Sequence, residues 1–235
     1  MNVLAYSTRD VLDKGFVELV DTLGSDLTVV NSARVSFGKR KEEFDNNDRR
    51  LVKYLAKYKH FSPFRHIQAQ FHIKAPEFVM RQWYKHVVGI ETSSNSSIKD
   101  HAWNEISGRY VPVEDYYNPT VFRAQSDDNK QASEGEAENQ SACKHHWDMA
   151  MFHAKNHYEE LLKQGVAKEQ ARSILPLNQY TEVYWTASFQ AVMNFIELRY
   201  EKTAQWEIQQ YAIALLDTMS LAFPETTKAW KATWK

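Results

Sequence analysis

Apolar and polar positions along the chain follow two periods. In KGFVELVDTL, residues 14–23, valine and leucine alternate in part with polar neighbours, which predicts a strand. FRHIQAQFHIKAP, residues 64–76, alternates more cleanly. Ile67, Ala69, Phe71, Ile73 and Ala75 fall on one face, and His66, Gln68, Gln70, His72 and Lys74 on the other. TEVYWTAS reads as a further strand, with Val183, Trp185 and Ala187 on one face.

Helical spacing fills the intervals. Ser25 and Asp26 stand where they can cap a short helix through VVNSARVSF. From Asp48, DRRLVKYLAKY places Leu51, Leu55 and Tyr58 along one stripe. Pro76 opens a helix through EFVMRQWYKH, at a position where its missing N–H costs nothing. Near Cys143 a helix begins whose stripe is Trp147, Met151, Ala154, Tyr158 and Leu161. KEQARSIL predicts another, stopping before Pro176. Ser188 can cap FQAVMNFIELRY, and Thr203 can cap a long final helix ending near Phe223. Residues 89–102, rich in Ser, Thr and Asn, predict a loop, and the polar stretch 123–142 predicts a mobile excursion. The mixed order of elements, without an internal repeat, predicts an α+β protein in a single domain over residues 1–235.

Composition narrows the function. The 235 residues carry a formal net charge of −1, so no global field favours nucleic acid or an acidic membrane and any anion site must be local. Cys143 is the only cysteine, which excludes an intrachain disulfide and points to a reducing compartment. The start, MNVLAYSTRDVLDKGF, lacks an apolar core behind a basic end, and no apolar run nears the roughly 20 residues a bilayer span needs. A soluble, cytoplasmic protein is expected, with neither a membrane nor a nucleic acid as partner. Only 7 glycines occur, with no G-x-G-x-x-G and no G-x-x-x-x-G-K-[ST], so a nucleotide would be held by side chains and helix ends.

Several polar constellations can carry chemistry. WNEISGRY, from Trp103 to Tyr110, sets an acceptor (Glu105), a donor-acceptor (Ser107), a permissive glycine (Gly108) and a donor (Arg109) within five residues. That mixture suits an anionic ligand or an ordinary turn. Arg81 and Lys85 share a helix face beside Gln82 and His86, either as a solvated cationic face or as an anion site. In HFSPFRH, Ser62-Pro63 signals a turn, and His60 can close the preceding helix. Arg172, Asn178, Gln190, Asn194 and Arg199 interrupt strongly apolar surroundings; a buried arginine needs an anion, from a ligand or from a salt bridge. His146, His153 and His157 line one side of a helix near Cys143, but without H-E-x-x-H or C-x-x-C no metal is expected.

Taken in order, KHFSPFRH, FHIKAPEFVMRQWYKH, NEISGRY, RSILPLNQY, MNFIELR and AQWEIQQYA closely resemble the flavin-dependent thymidylate synthases. The match covers most of the chain outside insertions at about 88–102 and 117–148. The resemblance implies a mixed or antiparallel sheet flanked by helices. It implies methylation of dUMP to dTMP with methylenetetrahydrofolate as carbon donor, and FAD reduced by NADPH as hydride source. It further implies a homotetramer whose active sites form between subunits. By motif position, dUMP would be bound by Gln82, Trp83, Tyr84, Lys85, Glu105, Ile106, Ser107, Gly108, Arg109, Arg172 and Arg199. FAD would be bound by His60, Ser62, Lys85, His86, Val87, Glu105, Ser188, Phe189, Gln190 and Asn194. Ser107 and Arg199 would serve turnover, Arg199 by polarising the uracil at N3 and so activating C5. The family's R-H-R is Lys85-His86-Val87 here, with Lys99 or His101 of the insertion as substitute cations, and Ser188 and Gln190 stand where asparagine and arginine are commoner. An alternative follows from these departures: a nucleotide-binding or regulatory relative that keeps the dUMP site and has lost catalysis.

Overall fold

The alternating segments meet in one sheet. The computed structural model describes residues 8–86, 89–91, 97–99, 101–112 and 114–234. In chain order come β1 (Thr8–Val11), β2 (Gly15–Leu23), α1 (Asp26–Arg34), α2 (Asn46–Lys57), β3 (Gln68–Pro76) and α3 (Glu77–Trp83). Next are β4 (Gly89–Glu91), β5 (Ser97–Lys99), β6 (His101–Glu105), β7 (Arg123–Gln125) and β8 (Ser133–Glu136). The rest is α4 (Gln140–Lys163), α5 (Lys168–Ala171), β9 (Tyr180–Ser188), α6 (Phe189–Arg199), α7 (Trp206–Ala222) and α8 (Pro224–Lys231). The main sheet runs β1-β2-β3-β9-β6, antiparallel at every pairing, and helices flank it. The fold class is α+β, as the order of segments predicted.

Alternation in β3 is realised as expected: Ala69, Phe71, Ile73 and Ala75 are buried, and Gln68, Gln70, His72 and Lys74 are half-exposed. Val17, Leu19, Val183, Trp185 and Ala187 extend the buried face across β2 and β9. Against it pack α3, α6 and α7 through Trp83, Phe195, Tyr211 and Leu215. Each fully buried large side chain stabilises the fold by about 1.5–3 kcal/mol before entropy is counted. The opposite face carries a charge ladder. Lys14 and Lys74 flank Asp115 at 2.7 and 2.8 Å, and Lys74 meets Glu182 at 3.4 Å. His72 then sits between Glu182 and Glu18, at 3.2 and 3.3 Å.

Helix starts follow local hydrogen bonding. Asp45 caps α2, accepting from the backbone of Asn47 and Asp48, so the helix begins ahead of the predicted Asp48. α7 begins at Trp206, not under a Thr203 cap, because residues 201–204 are tied into a turn by the Ala204 N–H to Glu201 carbonyl bond. α7 ends at Ala222, close to the expected Phe223, and Pro224 opens a further helix, α8. No helix among the described residues is long and apolar enough to cross a membrane.

Three expectations are corrected. Within 89–102, expected as loop, β4 and β5 pair, and β6 joins the sheet edge against β9 with Trp103 opposite Trp185. The polar stretch after Arg123 is a β7–β8 hairpin rather than a mobile excursion. Its polar side chains satisfy local backbone: Gln125 donates to the Ala132 carbonyl at 2.9 Å, and Gln140 binds both the N–H and the carbonyl of Phe122. The helix expected through His86 stops at Trp83, and the His86 N–H turns back to the Trp83 carbonyl at 2.8 Å.

Candidate functional site

Edge strand β6 delivers the WNEISGRY segment. Its ladder continues one residue past the strand, with the Ile106 N–H bonded to the Glu182 carbonyl at 2.9 Å. The chain then turns. The Ser107 carbonyl accepts from Tyr110 and Val111, and the Ser107 hydroxyl accepts from the Arg109 N–H at 3.3 Å. Arg109 is thereby projected from the sheet, where it and Arg172 line one open cleft of about 610 Å³ with Glu169, Gln170 and Ser173. Its pairing with Glu169 is long, at 3.5 Å, and exposed on both sides, so it contributes little. Arg172 is exposed and has no ion pair among the described residues, contrary to the expectation of a buried guanidinium. Two cationic forks thus face one cleft, a geometry suited to a phosphate.

Beside this turn, Glu105 accepts from the Thr181 hydroxyl at 2.8 Å and from the Trp103 indole at 3.3 Å. Glu77, in the first turn of α3, is held above the usual carboxylate range by burial and by the charge of Glu105, against the opposing pull of Arg81 and Arg172. Motif reading passed over Glu77; the signal available was its spacing of four from Arg81 on the same helix.

A second group forms where α3 meets α6. Trp83, expected to touch dUMP, is fully buried, stacked on Phe195 at 4.3 Å and edged by Trp185 and Tyr211. It anchors α3, while its neighbours Tyr84 and Lys85 are exposed. Gln82 donates to the Gln205 amide oxygen at 2.6 Å, a partner that no motif pointed to. His86 lies edge-on to Phe195 and accepts at Nε2 from Nε of Arg199, 2.9 Å away. The imidazole is therefore neutral, protonated at Nδ1. Burial and then the adjacent guanidinium push its pKa down to about 4. Arg199 is half-buried, and no carboxylate pairs with it among the described residues. No hydrogen bond or ion pair joins it to Arg109 or Arg172.

α6 supplies the remaining groups. Ser188 caps the helix by accepting from Ala191 at 3.3 Å, and Phe189 is buried in the core against Phe64, Phe223 and Trp230. Phe189 therefore offers a ligand neither its ring nor its backbone N–H, which donates to the Ile67 carbonyl at 2.9 Å. Gln190 is 9 % exposed, yet its amide bonds to no described residue, and the exposed Asn194 amide is equally free. The pair fits a heterocycle edged with alternating donors and acceptors, such as an isoalloxazine. His60 and Ser62 are exposed on the loop after α2, with the His60 ring stacked on Tyr54 at 5.9 Å. His60 closes α2 through its backbone N–H to the Leu55 carbonyl. Asn178 is structural, donating to the Tyr117 carbonyl and to Met151 Sδ. Val87 lies outside the described residues. Among those described, no three His, Cys, Asp or Glu side chains gather as metal ligands.

A family model described as thymidylate synthase complementing protein matches residues 18–225. The flavin-dependent thymidylate synthase of Thermus thermophilus is 42% identical over 231 residues, covering 96% of this chain and 77% of that protein. That of Thermotoga neapolitana is 42% identical over 221 residues, covering 94% and 92%. This chain belongs to the flavin-dependent thymidylate synthase family. Among solved structures, the UMP/dUMP methylase PolB from Streptomyces cacaoi, bound with 5-Br dUMP, superposes with a TM-score of 0.82 at 29% identity, covering 96% of this chain and 98% of that one. As a flavin-dependent thymidylate synthase relative, the chain is an enzyme whose family employs FAD. The amides of Gln190 and Asn194 and the Lys85 ammonium, which have no partner among the described residues, are groups that fit such a cofactor.

Proposed function

We propose that this chain converts dUMP to dTMP, with methylenetetrahydrofolate as carbon donor and NADPH as the reductant of its FAD, as a homotetramer in the cytoplasm. One observation carries the reading: the half-buried Arg199 guanidinium has no carboxylate partner among the described residues and is held at Nε by a neutral histidine. A desolvated cation without a counter-ion is costly unless a ligand supplies the negative charge. With Nε occupied by His86, the two Nη groups are left to polarise a uracil carbonyl and raise the nucleophilicity of C5. Arg109 and Arg172 bind the phosphate, and Ser107 hydrogen-bonds the pyrimidine. Bound FAD supplies the reducing equivalent as hydride. The chain's own part is to orient that ring through Gln190 and Asn194, with Lys85 near its phosphates, and to exclude water with the apolar floor of Phe195 and Trp83.

Assembly is supported by exposed apolar side chains that one protomer leaves uncovered. Phe37 is 78 % exposed, Val35 72 % and Phe152 57 %. The test is anaerobic incubation of purified protein with FAD, dUMP, methylenetetrahydrofolate and NADPH, with dTMP read by chromatography. Folded, FAD-loaded protein that leaves dUMP untouched defeats the proposal in favour of a non-catalytic relative. The same assay with UMP tests whether the chain shares the pyrimidine range named for PolB.

A further inference from the structure

A second cavity, of about 630 Å³, lies between the end of α2, the end of α6 and the last turns of α8. Its volume falls in the range of small-molecule sites. Two of its walls are aromatic: Phe61 packs on Trp230 at 4.9 Å, and Tyr200 on Trp234 at 5.8 Å. The indole N–H groups of Trp230 and Trp234 are both buried without an acceptor among the described residues. An indole can only donate, and an orphaned buried donor calls for an explanation. Lys57, Lys59 and Lys202 line the same cavity, and none forms an ion pair with Glu197 or Glu201, which also line it. Lys59 moreover adopts a left-handed backbone, φ 58°, at the position closing α2. Glycine or asparagine would close the helix with less strain, so a lysine there marks its side chain as the useful part.

We propose that this cavity binds the phosphorylated adenosine end of the pyridine dinucleotide reductant. The aromatic walls stack the purine, the orphaned indoles donate to acceptors of the ligand, and the lysines hold its phosphates. Glu197 and Glu201 accept from ribose hydroxyls. The location suits this role. Residues 57–61 and 197–202, which supply two walls, also contain the candidate flavin residue His60 and the candidate uracil-polarising Arg199, so a dinucleotide anchored here can extend its nicotinamide end toward the candidate site. The inference rests on the reading that NADPH reduces this enzyme, but its binding test does not require turnover.

The experiment titrates full-length protein, labelled with ¹⁵N at tryptophan, with 2′,5′-ADP, with 5′-ADP and with p-aminobenzoylglutamate. The indole signal of Trp234, assigned through Trp234→Phe, is expected to shift with 2′,5′-ADP. A Lys59→Ala/Lys202→Ala variant, altered only at exposed positions, is expected to bind 2′,5′-ADP at least about tenfold more weakly. In rapid-mixing reduction of the FAD-loaded protein the same variant should raise the apparent Kd for NADPH similarly, with the affinity for dUMP unchanged. The proposal is overturned if 2′,5′-ADP leaves the indole unmoved at millimolar concentration. It is equally overturned if 5′-ADP binds as tightly, which assigns the cavity to the adenosine of FAD, or if p-aminobenzoylglutamate alone binds, which assigns it to the folate. Protein that binds 2′,5′-ADP as expected but makes no dTMP would defeat the proposed activity and leave this site standing.

Discussion

Replacing His86 tests the central geometry most directly. Its Nε2 accepts from Nε of the Arg199 guanidinium at 2.9 Å, and its ring packs edge-on against Phe195 at 5.1 Å. Phenylalanine keeps the ring contact and deletes the acceptor. A hydrogen bond to a charged group contributes about 1.5–3 kcal/mol, and each 1.36 kcal/mol is tenfold in rate, so His86→Phe should lower kcat by roughly 10- to 150-fold. His86→Gln, whose amide oxygen can accept from the same donor, should recover much of that loss. Stability adds a second readout with a definite sign. The folded imidazole titrates near 4 instead of 6.5, so below pH 6.5 the unfolded chain takes up a proton that the folded chain refuses. The stability His86 contributes is complete above pH 6.5 and declines as the pH falls toward about 4. Urea midpoints measured between pH 7 and pH 4.5 should show this slope in the unsubstituted protein, and a shallower one in His86→Phe. Full activity of His86→Phe, or equal damage from the phenylalanine and glutamine variants, would refute a positioning role for this histidine.

The cleft arginines should behave as a pair. Arg109→Ala and Arg172→Ala are each expected to raise KM for dUMP by roughly tenfold or more, and the double variant by less than the product, since both face one phosphate. Gly15→Ala should lower Tm by several degrees, because an added Cβ would lie 2.7 Å from the Val11 carbonyl and 2.8 Å from the Lys74 carbonyl. Tyr211, whose hydroxyl also crowds that point, is fully buried and bonded to the same Lys74 carbonyl at 2.8 Å, so it cannot yield. Asp48→Ala should destabilise by about 1.5–3 kcal/mol in chemical denaturation, because it takes a fully buried carboxylate from Arg34 at 2.6 Å and from Lys41 at 2.8 Å, although Lys41 keeps Asp45. Cys143→Ser, at a partly exposed position on α4, should leave dTMP formation within about twofold; an inactive but folded variant would point to a thiol nucleophile.

What the sequence revealed depended on the range of each interaction. β3 was readable because its alternation is local and each buried residue lies two from the next. β6 was not, since an edge strand of 5 residues owes its state to β9, some eighty positions further along. The β7–β8 hairpin has almost no apolar residue to give it away; Gln125, Ser126 and Gln140 hold it through hydrogen bonds that hydropathy does not register. Motifs placed Trp83 with the ligand residues, whereas the structure buries it with Val79 and Met80 on the inner stripe of α3. Motifs named Arg199 and His86, but not their contact, which spans 113 positions. The cavity beside α8 was invisible for the same reason, as its lysines are distant in sequence and ordinary in composition.

Local charge reconciles a net charge of −1 with a phosphate-rich set of ligands. Many carboxylates are occupied within the fold: Asp48 by Arg34 and Lys41, Asp115 by Lys14 and Lys74, Glu225 by Arg49. Among the described residues, cations without a carboxylate partner include Arg199 near the α3–α6 contact, Arg172 in the cleft, and Lys57, Lys59 and Lys202 in the second cavity. Each lies where a different anionic group of the proposed reactants would bind: the polarised uracil, the nucleotide phosphate and the dinucleotide phosphates. A field built this way decays within about a Debye length, near 8 Å at physiological salt, so it selects ligands inside the site without drawing polyanions to the surface. Raising ionic strength should therefore weaken dUMP binding at the open Arg109–Arg172 cleft more than it disturbs the half-buried Arg199, raising KM before it lowers kcat.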